Sequence, residues 1–168
     1  MKKIVVAPDS FKDSLSASQV AAAIEAGIHT ALPDAKVVKV PVAYGGEGTM
    51  ETLVEALGGK YVTCLVNDPL MRQISVSYGL VNTAQGTTAI IDMASASGLT
   101  LLSQQERNPL VTTSYGTGQL IADACNRGCR QVILGIGGSA TNDAGKGMLE
   151  ALGCRFLDRD GNELKPGG

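Results

Sequence analysis

Residues 131–153 read QVILGIGGSATNDAGKGMLEALG, and this stretch decides the fold. It begins with the apolar run Val132–Leu134, whose β-branched residues predict a strand buried on both faces of a parallel sheet. A glycine-rich turn follows, and polar residues typical of helix starts lead into an apolar helical face that ends at Gly153. Strand, turn and helix N-terminus together leave unpaired N–H groups at a crevice. The stretch therefore predicts an α/β protein with an anion site, usually for phosphate, at this turn.

Two other interpretations of the turn remain open. Gly135, Gly137 and Ala140 fit the dinucleotide fingerprint G-x-G-x-x-G/A, with Asp158 as the acidic residue further along, which is typical of a nicotinamide-dependent oxidoreductase. A tight turn that binds no ligand is the other alternative. A P-loop is excluded, because Ala140 and Gly147 stand where that pattern needs Gly and Ser or Thr.

The composition narrows the class of protein. The chain has 168 residues, of which 44% are hydrophobic and 18% charged, so it is predicted to be globular. A net charge of −2 and the lack of basic clusters argue against nucleic acid or an anionic membrane as a partner. No apolar run reaches membrane-spanning length and no signal peptide precedes the first strand, which predicts a cytoplasmic location.

Cysteine and histidine usage limits the chemistry. The scattered residues Cys64, Cys125, Cys129 and Cys154 predict reduced thiols rather than a metal site. The single histidine, His29, lies in a predicted helix, which argues against a histidine general base.

Two βα units open the chain. The predicted strand Lys3–Ala7 runs into a polar cluster around Asp9, and a Ser16–Gln19 capping box starts a helix that must end before Pro33. The strand Lys36–Val40 leads to Glu47 among three glycines, and a helix follows. Polar residues after such strands lie where α/β sheets bind ligands. Glu47 is therefore open to a metal or substrate, or it favours the dipole of the following helix.

The pattern then changes from βα units to successive strands. These strands are predicted over Tyr61–Val66, Gln73–Val81 and Thr87–Met93, with one polar face on the second. The change predicts a domain boundary near residue 60. A helix that ends at Gly128 follows, with Thr113 or Ser114 as its N-cap.

Five separated motifs carry a resemblance to a known family. In chain order they read APDSFKDSLSA, PVAYGGEGT, MASASGL, NPLVTTSYGTG and GIGGSATNDAG. Their order and spacing resemble those of the glycerate kinases of bacterial glyoxylate and sugar-acid pathways. The resemblance implies a kinase that uses ATP and Mg²⁺ to phosphorylate the small molecule D-glycerate, giving 2-phosphoglycerate.

The resemblance also implies a domain organisation. That family has a Rossmann-like parallel-sheet domain into which a second α/β domain is inserted. Residues 1–60 correspond to the N-terminal part of the first domain and residues 61–168 to the N-terminal part of the inserted one. Because the family is more than twice as long, we expect an N-terminal portion with weak or no activity by itself. A non-catalytic remnant or binding module is the alternative.

Site residues follow from the matching motifs. Asp9, Lys12 and Glu47 are the implied catalytic residues, and Asp9, Glu47 or Asp143 could bind Mg²⁺. The implied substrate and nucleotide contacts lie in the glycine-rich and hydroxyl-rich turns: Ser10, Gly45, Gly46, Ser95, Ser97, Gly137, Gly138, Ser139, Thr141, Asn142 and Asp143.

Two residues depart from the family pattern. Tyr44 stands where the family has an aspartate, which is expected to impair catalysis, and a Tyr44→Asp change alone is not expected to restore activity. Lys146 replaces a small residue, where it either helps to bind an anion or faces solvent.

Overall fold

The computed structural model describes residues 2–11 and 14–168. The chain divides after Tyr44 into two compact units. The first unit contains strand β1 (Lys3–Val6), helix α1 (Ala17–Ala31) and strand β2 (Lys36–Lys39). The two strands pair in parallel. The predicted capping box is present, with Gln19 N–H donating to Ser16 Oγ and Ser16 N–H donating to Gln19 Oε1.

The second unit contains a mixed sheet with helices on its faces. Its helices are α2 (Thr49–Leu57), α3 (Ala94–Ser97), α4 (Tyr115–Asn126) and α5 (Lys146–Ala151), with 3₁₀ turns at Leu99–Leu101 and Gln104–Glu106. Its strands are β3 (Lys60–Asn67), β4 (Gln73–Thr83), β5 (Gly86–Asp92) and β6 (Gln131–Gly135), in the spatial order β3-β4-β5-β6. The first three strands are antiparallel neighbours, and β6 runs parallel to β5. The predicted run of strands without intervening helices is confirmed.

Alternation along the strands divides the core between the two faces of this sheet. Ile90 packs with Val54 of α2 on one face, whereas the next residue, Ile91, packs with Leu120 of α4 on the other. This follows from the period of two in a strand, which points successive side chains to opposite faces. The sheet is thus covered by α2 on one side and by α4 on the other.

Two local predictions are wrong. β6 is not buried on both faces: Val132 and Leu134 pack against the core on the α4 side, but Ile133 on the other face is 44% exposed, because α2 packs on β4 and β5. The helix after the glycine turn begins later than the polar residues that suggested its start, at Lys146 with Gly145 as its N-cap. The predicted N-cap of α4 is confirmed, since Ser114 stands at that position, although its side chain makes no capping hydrogen bond.

The domain boundary near residue 60 stays a prediction. α2 precedes that residue but packs on β4 and β5 in the second compact unit. No helix in the described part of the chain is long and apolar enough to cross a membrane.

Candidate active site at the carboxyl ends of β5 and β6

Two glycine-rich loops lie against each other at the carboxyl ends of β5 and β6. We call residues 45–48 the Glu47 loop and residues 136–145 the β6 loop. Gly137 N–H donates to the carbonyl of Gly45 across 2.9 Å. A Cβ atom added to Gly137 would lie 2.7 Å from Gly46 Cα, so only glycine allows this approach. The two motifs that contain these loops are therefore joined by direct backbone contact.

Asp92 lies beneath this contact, at the end of β5. It is 5% exposed, and both of its carboxylate oxygens accept the N–H of Met50, at 3.1 and 3.2 Å. Burial raises the pKa of Asp92, and the hydrogen bond from Met50 N–H, together with the nearby N–H groups of Gly48 and Thr49, offsets part of this rise. A carboxylate thus occupies the N-terminus of α2, where the helix dipole favours negative charge.

Asp92 is not among the site residues predicted from the sequence. One signal could have revealed it: Asp92 ends the otherwise apolar run Ala89–Ile91, in a strand that reads as buried. A charged residue at such a position is almost never left without a partner.

Glu47 lines a cavity of about 220 Å³ beside Asp92. The cavity is also lined by Glu51, Asp92, Ser95 and Thr100. Glu47 is exposed, and its Oε1 accepts the Thr100 hydroxyl at 3.2 Å. This places Glu47 and Ser95, two of the predicted site residues, on one cavity, which we call the Glu47 cavity.

A second cavity, of about 380 Å³, follows the β6 loop, and we call it the β6 cavity. Four predicted residues line it, namely Ser139, Thr141, Asn142 and Asp143, together with apolar side chains that include Ile136 and Met148. Ser139 and Thr141 stabilise the loop itself, because Ser139 Oγ contacts the backbone of Thr141 and Thr141 Oγ1 donates to the Thr112 carbonyl.

The carboxylate of Asp143 accepts several hydrogen bonds from neighbouring residues. Its buried carboxylate accepts the N–H and hydroxyl of Ser114 and the N–H groups of Gly145 and Gly147. Burial alone would raise its pKa, but these hydrogen bonds outweigh burial and lower the pKa of Asp143 below its ordinary value. Ser114 Oγ also accepts the N–H of Met148, so Asp143 and Ser114 tie α4 to α5.

Ser97 and Gly138 contribute to the scaffold of the site. Ser97 is fully buried, its hydroxyl is paired with that of Thr117 at 2.8 Å, and its carbonyl accepts the N–H of Ala140. Gly138 has a φ of 78° and accepts the N–H of Leu99 with its carbonyl.

The remaining predicted residues belong to the first unit. Asp9 is exposed and its Oδ1 accepts the N–H of Ser10 at 2.7 Å. Lys12 lies outside the described residues.

Two other polar residues have structural roles. The Asp158 carboxylate accepts the N–H groups of Asp160 and Asn162, which closes a turn rather than facing a dinucleotide. Lys146 does not face solvent, because its side chain is 11% exposed and its Nζ pairs with the Glu150 carboxylate at 2.6 Å. All four cysteines are free, and among the described residues no three His, Cys, Asp or Glu side chains converge as a metal site.

Comparison with known proteins identifies the family. The model of the glycerate kinase family matches residues 4–168. The chain belongs to the glycerate kinase family. It is 51% identical to a glycerate kinase of Bacillus subtilis and 52% identical to a glycerate 2-kinase of Escherichia coli. In both cases the match covers 99% of this chain and 43% of the relative.

A solved structure agrees with the fold. A crystal structure from Salmonella typhimurium, of a protein assigned as glycerate kinase 2, superposes with a TM-score of 0.84 at 50% identity. That match covers 99% of this chain and 44% of the solved one. The resemblance of the five motifs and the predicted α/β fold class are therefore confirmed, and the chain spans less than half the length of these relatives.

Proposed function

We propose that the protein transfers the γ-phosphoryl group of ATP to the 2-hydroxyl of D-glycerate, giving 2-phosphoglycerate. Membership of the glycerate kinase family supports the reaction class, and similarity to a relative named glycerate 2-kinase supports the position of transfer. The single observation that carries the proposal is the contact between the Glu47 loop and the β6 loop at the strand ends. Ligands of α/β sheets bind at this edge.

Glu47 is the proposed acid–base residue. Phosphoryl transfer asks a protein chiefly to position the groups and neutralise charge, with a carboxylate to orient the attacking hydroxyl and receive its proton. Glu47 is exposed at its cavity, and among the described residues its carboxylate accepts one hydrogen bond, from Thr100, so it is open to a ligand. Asp9 and Lys12 are proposed to assist on the basis of their motif.

The β6 loop is proposed to bind an anionic group. Within the described residues, the N–H groups of Gly138, Ser139 and Asn142 make no hydrogen bond to the protein. The N–H of Gly137 is not free to bind an anion, because it donates to the carbonyl of Gly45. Free N–H groups beside a glycine turn are suited to phosphate oxygens.

Mg²⁺ is proposed to bind with the nucleotide, where it would neutralise charge on the phosphate oxygens. Mg²⁺ usually takes one or two carboxylates and completes its shell with phosphate oxygens and water. Glu47 fits this requirement, and Asp9 has a carboxylate that is also exposed. Asp143 fits less well, because its oxygens already accept several hydrogen bonds from the protein.

The test is a coupled assay of ADP formation with the full product of the gene, because these 168 residues span 43% of the length of the named relatives and are expected to have weak or no activity by themselves. We expect ADP release that requires both D-glycerate and Mg²⁺, with 2-phosphoglycerate identified by NMR. Glu47→Gln should lower kcat by about 100-fold or more, which is typical of losing an acid–base group. Absence of glycerate-dependent ADP formation, or tighter binding of NADH than of ATP in equilibrium dialysis, would overturn the proposal.

A further inference from the structure

We propose that Asp92 is a positioning residue for this kinase, which holds the Glu47 loop so that Glu47 faces its cavity. The inference rests on the proposed function and deepens it. Asp92 ends β5 and lies outside the five motifs, whereas Glu47 lies in the PVAYGGEGT motif. Neither of the two glycine-rich motifs contains it.

The Asp92 carboxylate is bound at the start of α2. Both of its oxygens accept the N–H of Met50, the second residue of that helix and the third residue after Glu47. The nearby N–H groups of Gly48 and Thr49 also lower the pKa of Asp92, although Thr49 N–H donates to the Gly46 carbonyl. A carboxylate in this place fixes the first turn of α2, and with it the point from which the Glu47 loop leaves the helix.

The Glu47 loop is closed on itself. Thr49 Oγ1 accepts the N–H of Gly45, and the N–H of Thr49 donates to the carbonyl of Gly46 at 3.2 Å. A closed loop moves as one body. The orientation of its main chain is then set by the contact of Asp92 with Met50 and by the contact of Gly137 with Gly45, while the Thr100 hydroxyl contacts the Glu47 side chain.

Gly135, at the end of β6, leaves no room for a side chain beside Asp92 and the Glu47 loop. A Cβ atom added to Gly135 would lie 2.9 Å from Asp92 Oδ1 and 3.0 Å from the Gly45 carbonyl. Gly135→Ala must therefore shift Asp92 or the Glu47 loop, although the chain keeps the carboxyl group of Asp92.

The experiment measures kcat and KM for Asp92→Asn, Glu47→Gln and the double variant, in the protein expressed from its own gene. Asn keeps the shape of Asp92 but loses the charge and turns an N–H₂ group toward backbone donors. We expect kcat to fall by about 100-fold, the effect of a misplacement of about 1 Å, with KM for ATP within about threefold. The double variant should be no slower than Glu47→Gln, because Asp92 acts through Glu47.

Asp68→Asn is the matched control. Asp68 is 2% exposed in the same unit and accepts the N–H groups of Leu70 and Arg72, but it does not line the Glu47 cavity. Its substitution should lower stability and leave kcat within about twofold. A fall in kcat equal to that of Asp92→Asn would show that both losses come from general destabilisation and would overturn the inference.

Two further measurements keep the inference testable. If Asp92→Asn does not fold, Gly135→Ala replaces it and should show the same lack of additivity with Glu47→Gln. Amide hydrogen exchange at Met50 should accelerate by about tenfold or more in Asp92→Asn, because the charge-assisted hydrogen bond from Met50 N–H is lost. The exchange rate at Met50 should not change in Asp68→Asn.

The outcomes separate the two proposals. The positioning role of Asp92 is overturned if the kcat losses of Asp92→Asn and Glu47→Gln multiply in the double variant. It is also overturned if amide hydrogen exchange at Met50 is unchanged in Asp92→Asn. An inactive wild-type protein overturns the proposed function instead, and amide exchange then still decides whether Asp92 anchors the Glu47 loop. If Glu47→Gln is fully active, the role of Glu47 fails, and with it the positioning role of Asp92.

Discussion

The Ser114 hydroxyl donates to both carboxylate oxygens of Asp143, at 3.0 and 2.8 Å. The same hydroxyl accepts the N–H of Met148 at the start of α5. All of these groups lie on the second unit, between α4 and α5. One side chain therefore connects a buried carboxylate to the first turn of a six-residue helix, which is too short to be stable alone.

The first prediction concerns the removal of this hydroxyl. Ser114→Ala should lower the free energy of unfolding by roughly 3 kcal/mol, because it removes a hydrogen bond to a charged group and leaves the Met148 N–H unpaired. Urea unfolding measures the change. Ser103→Ala is the control, because Ser103 is exposed and hydrogen bonds only to Glu106 nearby; its cost should stay below about 1 kcal/mol. Equal costs for the two variants would contradict the prediction.

The second prediction is the pH dependence contributed by Asp143. Its pKa is lowered in the folded state, so its stabilisation is present above the ordinary value of 3.8 and is lost as pH falls through the folded pKa. The difference in unfolding free energy between wild type and Asp143→Asn should therefore be largest near pH 7 and shrink below about pH 4. A difference that is constant across this range would contradict the assigned shift.

The third prediction is that Asp92 shows the opposite slope. Its pKa is raised in the folded state by burial, and the charge of nearby Glu51 adds to this rise. The folded protein then binds this proton more tightly than the unfolded chain does, so stability is present below the ordinary value of 3.8 and decreases as pH rises through the folded pKa. The free-energy difference between wild type and Asp92→Asn should decrease as pH rises, and an increase would contradict the prediction.

Features set by neighbouring residues were predictable from sequence. The Ser16–Gln19 capping box fixes the start of α1, and turn residues between apolar runs mark β3, β4 and β5. The family was also predictable, because its five motifs are separated along the chain and each is specific. Each capping box, turn or motif consists of residues that are close together in sequence, so it can be recognised without knowledge of the tertiary structure.

Features set by distant residues were not predictable. Burial on both faces of Val132–Leu134 was inferred from an apolar pattern, which does not report whether a helix covers each face of β6. The hydroxyl of Ser114 could have capped its own helix, but Asp143, 29 residues later, binds it instead. Asp92 was missed because its partners lie in α2, and sequence spacing does not report on that contact.

The fourth prediction concerns the contact between the two glycine loops. Gly137→Ala places a methyl group 2.7 Å from Gly46 Cα and 3.2 Å from the Gly45 carbonyl. Both are backbone atoms that cannot rotate away, so the loops must separate, at a cost of about 1–3 kcal/mol. Because the same contact orients the Glu47 loop, glycerate phosphorylation should fall by more than the loss of folded protein explains. Urea unfolding and initial rates on the same preparation measure the two effects.

Gly27→Ala is the matched control for that variant, with an effect of opposite sign. Gly27 lies inside α1, and no atom lies within 4 Å of a Cβ added there. Alanine has the higher helix propensity, so this change should raise the free energy of unfolding by about 0.5–1 kcal/mol and leave the phosphorylation rate unchanged. If Gly137→Ala instead stabilises the protein as Gly27→Ala does, the two loops are not in contact in solution, and the site must be assembled in another way.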